Sequence, residues 1–259
     1  MSHTIQRKIF NNEDPFLSKI FKRIASQAER EKCWTEKPAV ILSTSGMLVG
    51  GPVMEHLKAL AEDPKNMLLF VGRIERLKGI DTLLEAIALL SQQGVLARHP
   101  LCVAVIGGDP EADPERMSEE MSRLKTLRAK LGIDDIVTFL GRRDQDTLQY
   151  YYSAAIAVVV PSHYESFGLV ALEAMACGRP VVASETGGLA FLVRDNETGF
   201  HVPAGDAQAL ADRLRRLLED EVLRTRLGRQ AAEYARSYAW PLVADQVLSL
   251  YGTLLKKHA

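Results

Sequence analysis

The chain has 259 residues, of which 47% are hydrophobic and 25% are charged, the ordinary balance of a globular protein with a buried core. Its formal net charge of −1 excludes a strong overall field that would attract nucleic acid or an anionic membrane surface. No apolar run approaches the roughly 20 residues of a membrane-spanning helix, the N-terminus has no signal-peptide pattern, and the three cysteines form no CxxC pair. We therefore expect a cytoplasmic protein without nucleic-acid or membrane partners.

Helix and strand patterns alternate along the chain from residue 14 onward. The first part predicts a helix, a short strand and a second helix, at 16–28, 39–42 and 53–61. Apolar runs then predict six strands, at 67–71, 101–106, 136–140, 154–160, 180–183 and 199–202. Helical patterns between the strands lie at 81–90, 117–131, 147–153 and 169–176, and the pattern after Asp206 is helical only.

Strands that are apolar throughout and separated by helices are typical of a parallel sheet that is covered on both faces. The sequence therefore predicts a single α/β domain over residues 1–259, with a Rossmann-like doubly wound parallel sheet and helices on both faces. Sheets of this class bind ligands at the carboxyl ends of their strands. The loops after the predicted strands are therefore where we expect a binding site.

The loop after the strand at 67–71 reads GRIERLKG and carries two cations, Arg73 and Lys78. Its glycines permit tight turns, and the two cations are suited to a diphosphate. The alternative is a charged surface loop without a ligand. The next predicted strand ends at Gly107, where the missing side chain leaves room for a ligand, although many strand-to-helix turns use glycine without one.

The strongest candidate is the segment PSHYESFGLVALEAMACG, which follows the strand at 154–160. A helix N-terminus suits a phosphate, and this helix begins with backbone N–H groups near Phe167, Gly168 and Leu169. Glu173 lies one turn past Leu169 on the same helix face, where a carboxylate suits ribose hydroxyls. Glu165, in the loop, can meet the hydroxyls of a sugar. The alternative is that Glu165 caps the helix and that Glu173 is solvated.

The histidine pattern argues against a metal site. The six histidines form no close pair with metal-ligand spacing, so we expect no metal and no bound cofactor. His163 is more typical of a structural or solvated side chain than of a ligand contact. No Ser-His-Asp arrangement stands out, and we predict no catalytic residue.

Together these segments resemble the C-terminal donor-binding domain of retaining GT-B glycosyltransferases, a group that includes sucrose synthases, sucrose-phosphate synthases and bacterial glycosyl transferases group 1. The resemblance runs from about residue 67 to the C-terminus. It rests on the motifs FVGRIERLKG, VAVIGG, VTFLGR, PSHYESFGLVALEAMACGRPVVAS and ETGGLAFLVRDNETGFHVP. It implies a nucleoside diphosphate or nucleoside diphosphate sugar as the ligand, and no requirement for a metal.

The resemblance also implies a role for each candidate residue. Arg73 and Lys78 would hold the donor diphosphate, and Glu173 would bind the ribose. Glu165, with the backbone of residues 167–169, would hold the transferred sugar and the distal phosphate. Arg142 follows a strand, at the position where members of the family contact the base of the donor nucleotide.

Residues from about 10 to 72 resemble a different family, the β-CASP metallo-β-lactamase nucleases of the cleavage and polyadenylation specificity factor type. The segments STSGMLVGGP and DPKNMLLFVG carry this resemblance. The zinc-binding HxHxDH signature of that family is absent from the sequence, so no nuclease activity is implied. We expect a chimera, by design or recombination, in which a helix–strand–helix fragment over 10–66 joins a glycosyltransferase part over 67–259. The alternative is a natural fusion of the two parts.

In the GT-B family an acceptor-binding domain precedes the donor domain, whereas only about 66 residues precede the resemblance here. We therefore expect weak nucleotide-sugar binding without sugar transfer. Two alternatives stay open, namely a folded scaffold with no ligand and an active glycosyltransferase that a partner chain completes.

The C-terminal segment resembles the last helix of the family, which packs against the acceptor domain. Its apolar side chains are Trp240, Leu242, Val247, Leu250 and Tyr251. They predict either an exposed patch through which a homodimer forms or a helix that folds back onto the sheet edge.

Overall fold

The computed structural model describes residues 66–113 and 115–257, which belong to one compact unit. The elements predicted at 16–28, 39–42 and 53–61 lie outside the described residues. The boundary predicted near residue 66 therefore stays a prediction.

The described residues contain six strands, which form one parallel sheet in the order β3-β2-β1-β4-β5-β6. They are β1 (Asn66–Val71), β2 (Leu101–Ile106), β3 (Val137–Gly141), β4 (Ala157–Val160), β5 (Val181–Ser184) and β6 (Gly199–Val202). The chain builds outward from β1 through β2 to β3, crosses back to β4 and then builds outward through β5 to β6. The loops after β1 and β4 therefore lead in opposite directions, and the carboxyl ends of two such strands are where sheets of this class form their ligand-binding crevice.

Helices connect the strands and follow the last one. They are α1 (Ile80–Gln92), α2 (Val95–Arg98), α3 (Glu119–Lys130), α4 (Gln145–Ala154), α5 (Leu169–Ala176), α6 (Leu189–Leu192), α7 (Ala207–Glu219), α8 (Glu221–Ala235) and α9 (Trp240–Lys257). The sequence does not predict α2 and α6, because four residues are too few to show helical periodicity. The strand predicted at 154–160 begins later than expected, because α4 runs through Ala154.

Alternate residues of the strands enter two separate apolar clusters. Leu68 and Phe70 of β1 pack with α1, α3 and α7, whereas Leu69 packs with α4, α5 and part of α8. All three side chains are essentially inaccessible to solvent. The sheet is therefore covered on both faces, which confirms the predicted Rossmann-like doubly wound α/β fold.

The last helix, α9, leaves its apolar side chains exposed in the described part of the chain. Trp240 is 85% exposed, and five further large apolar side chains of the helix are about half exposed, namely Leu242, Val247, Leu248, Leu250 and Tyr251. This exposure favours the predicted patch over a helix folded back onto the sheet edge. No helix in the described ranges is long and apolar enough to cross a membrane.

Candidate functional site

The crevice between β1 and β4 brings two of the predicted residues together. Lys78 lies in the loop after β1, and Glu165 lies in the loop after β4. The Nζ of Lys78 donates to the Oε2 of Glu165 over 2.6 Å, and each side chain is 19% exposed. The sequence predicts both residues at strand ends, and the strand order makes them neighbours.

The position of Lys78 is fixed by contacts between the two loops. A 3-10 turn, Arg76–Lys78, is followed by Gly79 in the left-handed conformation with a φ of 63°. A Cβ on Gly79 would lie 2.0 Å from the carbonyl oxygen of Pro161, so only glycine fits there. The backbone N–H of His163 also donates to the carbonyl of Leu77 over 2.8 Å. The loop after β1 is therefore held against the loop after β4.

Arg73, the other predicted cation, has a different partner. Its guanidinium pairs with Glu75 at 2.8 Å, and its side chain is 77% exposed. An exposed ion pair of this kind contributes little free energy, so Arg73 can exchange Glu75 for a phosphate at small cost. A shared contact of Arg73 and Lys78 with one diphosphate stays a prediction.

Gly107 is required to be glycine by close packing against a neighbouring strand end. It has a φ of 144°, and a Cβ there would lie 1.9 Å from the carbonyl oxygen of Gly72 at the end of β1. Its N–H donates to the carbonyl of Gly141 over 3.0 Å. The close approach is thus to the neighbouring strand end, and a contact with a ligand stays a prediction.

The N-terminus of α5 has no side-chain cap. Gly168 is the N-cap residue, with a φ of 97°, and a Cβ on it would lie 2.7 Å from Leu189. Because Glu165 does not cap the helix, that alternative is wrong. The first N–H groups of a helix have no intrahelical partner, so this end of α5 can receive an anion. The side chains of Phe167 and Leu169 are exposed beside it.

The loop after β5 holds the backbone of Glu165. The N–H of Gly188 donates to the Glu165 carbonyl over 2.8 Å, and a Cβ on Gly187 would lie 2.0 Å from that same oxygen. The glycines of this loop allow the backbone to approach closely, and the group that they approach is Glu165. Loops after β1, β4 and β5 together position the Lys78–Glu165 pair.

Glu173 lies on α5 and receives two hydrogen bonds from α4. The hydroxyl of Tyr152 donates to its Oε2 over 2.7 Å, and the Nε2 of Gln145 donates to its Oε1 over 2.9 Å. The carboxylate is half-buried and accepts two hydrogen bonds, which argues against a side chain that only water solvates. Burial, and then the hydrogen bond to Glu173, raise the pKa of Tyr152 above its usual range. The phenol is therefore protonated at neutral pH and acts as the donor.

The remaining predicted residues are less constrained. Arg142 directly follows β3 and is exposed, which leaves its side chain able to reach a ligand at the sheet edge. His163 is exposed, with its ring beside Gly205. Among the described residues, no group of three or more His, Cys, Asp or Glu side chains could hold a metal ion.

Two residues of the site are missing from the sequence-based prediction, namely Tyr152 and Gln145. Both lie on α4, where no motif marks a site residue. Tyr152 is the last of three consecutive tyrosines, and nothing in the sequence distinguishes it from the other two. Only the packing of α4 against α5 selects Tyr152 as the partner of Glu173.

Comparison with known proteins identifies the family. Residues 55–234, more than half of the chain, match the family Glycosyl transferases group 1. The chain belongs to this family. A second match, to the Beta-Casp domain, covers residues 1–76 and overlaps the first over 55–76.

The relatives of this glycosyltransferase domain are larger proteins. A D-inositol 3-phosphate glycosyltransferase from Frankia alni is 43% identical over 202 residues, which cover 78% of this chain and 49% of the relative. The chain thus spans about half the length of the curated relatives that it matches.

Solved structures agree with the family and the fold. A sucrose-phosphate synthase from Thermosynechococcus elongatus matches with a TM-score of 0.66 and 40% identity, over 78% of this chain and 48% of that one. The Anabaena protein HepE, in a complex with UDP and glucose, matches with a TM-score of 0.64 and 25% identity, over 79% and 53% of the two chains. The resemblance to the C-terminal half of GT-B glycosyltransferases is thereby confirmed.

Proposed function

We propose that the crevice between β1 and β4 binds the donor of a retaining glycosyltransferase, a nucleoside diphosphate sugar. In this proposal Lys78 and the N-terminus of α5 contact the diphosphate, with Arg73 as a second cation. Glu173 binds the ribose, Glu165 binds the sugar, and Arg142 and Gly107 lie beside the nucleoside.

The observation that carries the proposal is the Lys78–Glu165 pair at the strand-order reversal. The Lys78 ammonium and the Glu165 carboxylate form an ion pair, and the loop that carries Glu165 leads into the N-terminus of α5, which has no side-chain cap. A nucleoside diphosphate sugar presents anionic phosphates and neutral hydroxyls within a few ångströms of one another. The cation and the helix end suit the phosphates, and the carboxylate suits the hydroxyls.

Uridine is the first base to test, because the similar Anabaena structure contains UDP together with glucose. The curated relatives act as D-inositol 3-phosphate glycosyltransferases, but the acceptor is a property of the whole protein. For the present chain we therefore propose a donor nucleotide sugar and leave the acceptor unassigned.

We further propose that this chain by itself binds the donor without transferring the sugar. The chain spans about half of its relatives, and sugar transfer requires an acceptor held against the donor in a closed crevice. The match of residues 1–76 to the Beta-Casp domain supports a chimeric origin for this chain. Turnover by the purified protein would instead favour an active enzyme completed by a partner chain.

The test is a calorimetric titration of the purified chain with UDP, ADP and GDP, each with and without its glucose ester. Saturable binding of one nucleotide supports the donor site and identifies the base. No binding up to millimolar concentrations, combined with a cooperative thermal melt, would leave a folded scaffold without a ligand and contradict the proposal.

We also propose that the exposed face of α9 associates with a second copy of the chain. Exposed apolar patches of this kind promote self-association. Light scattering should show a dimer that Trp240→Glu converts to a monomer, with Val222→Glu on α8 as an exposed control. A monomer at high micromolar concentration would contradict this association.

A further inference from the structure

Tyr152 contacts the proposed ribose-binding carboxylate from inside the protein. Its side chain is only 2% exposed and belongs to the apolar cluster between the sheet and α4 and α5. Its hydroxyl lies 2.7 Å from the Oε2 of Glu173. A buried hydroxyl needs a hydrogen-bond partner, and among the described residues Glu173 is the partner of Tyr152.

The two carboxylate oxygens of Glu173 accept hydrogen bonds from different partners, one of which is buried and the other exposed. Oε2 accepts from the buried Tyr152, whereas Oε1 accepts from the exposed Gln145 over 2.9 Å. Gln145 can swing into solvent at little cost, because water replaces its hydrogen bond. Tyr152 cannot leave without disrupting close-packed core contacts. Oε1 is therefore the oxygen that a ligand can take.

We propose that Tyr152 is a positioning residue, which holds Glu173 by Oε2 so that Oε1 accepts the ribose hydroxyls of a bound nucleoside diphosphate. Gln145 gives up Oε1 when the ribose binds. The inference rests on the proposed function, because it assumes that the crevice binds a nucleotide. Tyr152 acts through Glu173 and does not touch the ligand.

The physical reason for such an anchor is the flexibility of a glutamate side chain. A carboxylate that binds hydroxyls has to be held close to one geometry, and rotamers locked by supporting hydrogen bonds provide this. Loss of the anchor frees the carboxylate to adopt other rotamers. We expect the affinity for a ribonucleotide to fall about 5- to 20-fold, which is less than the full contribution of a hydrogen bond to a charged group because the freed carboxylate still adopts the binding rotamer part of the time.

The test compares UDP with 2′,3′-dideoxy-UDP by calorimetry, using the full chain. Tyr152→Phe keeps the ring that fills the core and removes only the hydroxyl. This substitution should lower the affinity for UDP about 5- to 20-fold and change the affinity for the dideoxy analogue less than about twofold. Tyr150→Phe, on the same helix, is the matched control and should leave both affinities unchanged. If wild type binds ADP or GDP instead, the dideoxy form of that nucleotide is used.

A double-mutant cycle separates positioning from general support of the fold. If Tyr152 acts only through Glu173, adding Tyr152→Phe to Glu173→Gln causes no further loss of UDP affinity. Equal losses for UDP and its dideoxy analogue, or no loss for either, would overturn the inference while the proposed function stands. Failure of the wild type to bind any of the three nucleotides would contradict the proposed function, and the inference with it.

A second measurement does not depend on how well Tyr152→Phe folds. With 3-fluorotyrosine placed at position 152, its ¹⁹F resonance should shift on addition of UDP and stay in place with the dideoxy analogue. A resonance that UDP does not move, under conditions where UDP binds, would overturn the inference.

Discussion

The Nζ of Lys78 lies 2.6 Å from the Oε2 of Glu165, although 87 positions separate the two residues in the chain. This pair joins the cation that we assign to the diphosphate and the carboxylate that we assign to the sugar. A phosphate that binds Lys78 replaces one anionic partner with another. With these assignments we predict that Glu165 is then released to accept hydrogen bonds from sugar hydroxyls, so that diphosphate binding and sugar binding are coupled through this pair.

The first prediction concerns the cations. Lys78→Ala should weaken UDP binding about 10- to 100-fold, because it removes a charge-assisted hydrogen bond of roughly 1.5–3 kcal/mol. Arg73→Gln should cause a smaller loss, since the exposed Arg73 side chain is less constrained. Arg76→Gln is the control, on the same loop but directed at Glu119 and Glu120. Calorimetry measures the UDP affinity of all three variants. Unchanged affinity in both Lys78→Ala and Arg73→Gln would contradict the assignment of these cations to the diphosphate.

The second prediction separates the sugar from the diphosphate. Glu165→Gln should remove any preference for UDP-glucose over UDP and leave the affinity for UDP equal or higher, because Lys78 no longer has a competing carboxylate. Glu185→Gln, an exposed carboxylate in the loop after β5, is the control. Competition titrations with the two ligands provide the measurement. A tenfold loss of UDP affinity in Glu165→Gln would contradict the assignment of Glu165 to the sugar.

The sequence predicts the sheet well because its strands are apolar throughout, and it places Lys78, Glu165 and Gly107 at strand ends. It does not predict the Lys78–Glu165 contact, because that contact depends on β1 lying beside β4. The roles of Gly107 and Gly187 also need the structure, since a sequence shows that backbone can approach but not which backbone does. The sequence does not predict the role of Tyr152, because Tyr152 differs from Tyr150 in its burial and not in any sequence motif.

The third prediction concerns the contact between the loops after β1 and β4. Gly79 and Gly94 have nearly equal φ values of 63° and 69°, so alanine imposes similar backbone strain of about 1–2 kcal/mol at both positions. A Cβ at Gly79 would also meet the Pro161 carbonyl oxygen at 2.0 Å, whereas a Cβ at Gly94 would meet no described atom within 4 Å. Gly79→Ala should therefore lower the free energy of unfolding by about 1–3 kcal/mol more than Gly94→Ala. Urea unfolding measures the difference, and equal losses would mean that the two loops do not pack as described.

The fourth prediction is a loss of stability at alkaline pH. The hydrogen bond with Tyr234, followed by burial, raises the pKa of Tyr238 to about 12, and burial raises that of Tyr152. A tyrosine in the unfolded chain loses its proton near pH 10, before either folded residue does. Stability from these groups is therefore complete below pH 10 and declines as the pH rises from about 10 to 12.

Substitutions identify the source of this decline. In urea melts between pH 8.5 and 11.5, Tyr152→Phe should make the fall in unfolding free energy shallower, and so should Tyr238→Phe. The exposed Tyr164 supplies the control, because Tyr164→Phe should keep the slope of the wild type. Identical slopes in all four proteins would show that these phenols do not carry the pH dependence.

The most direct test of the donor site is a crystal structure of the chain with UDP. We predict phosphate oxygens within hydrogen-bonding distance of the Lys78 Nζ and the first N–H groups of α5. We also predict the ribose hydroxyls on the Oε1 of Glu173, with Gln145 displaced. A nucleotide bound elsewhere on the protein, with the β1–β4 crevice empty at saturating UDP, would contradict the proposed donor site.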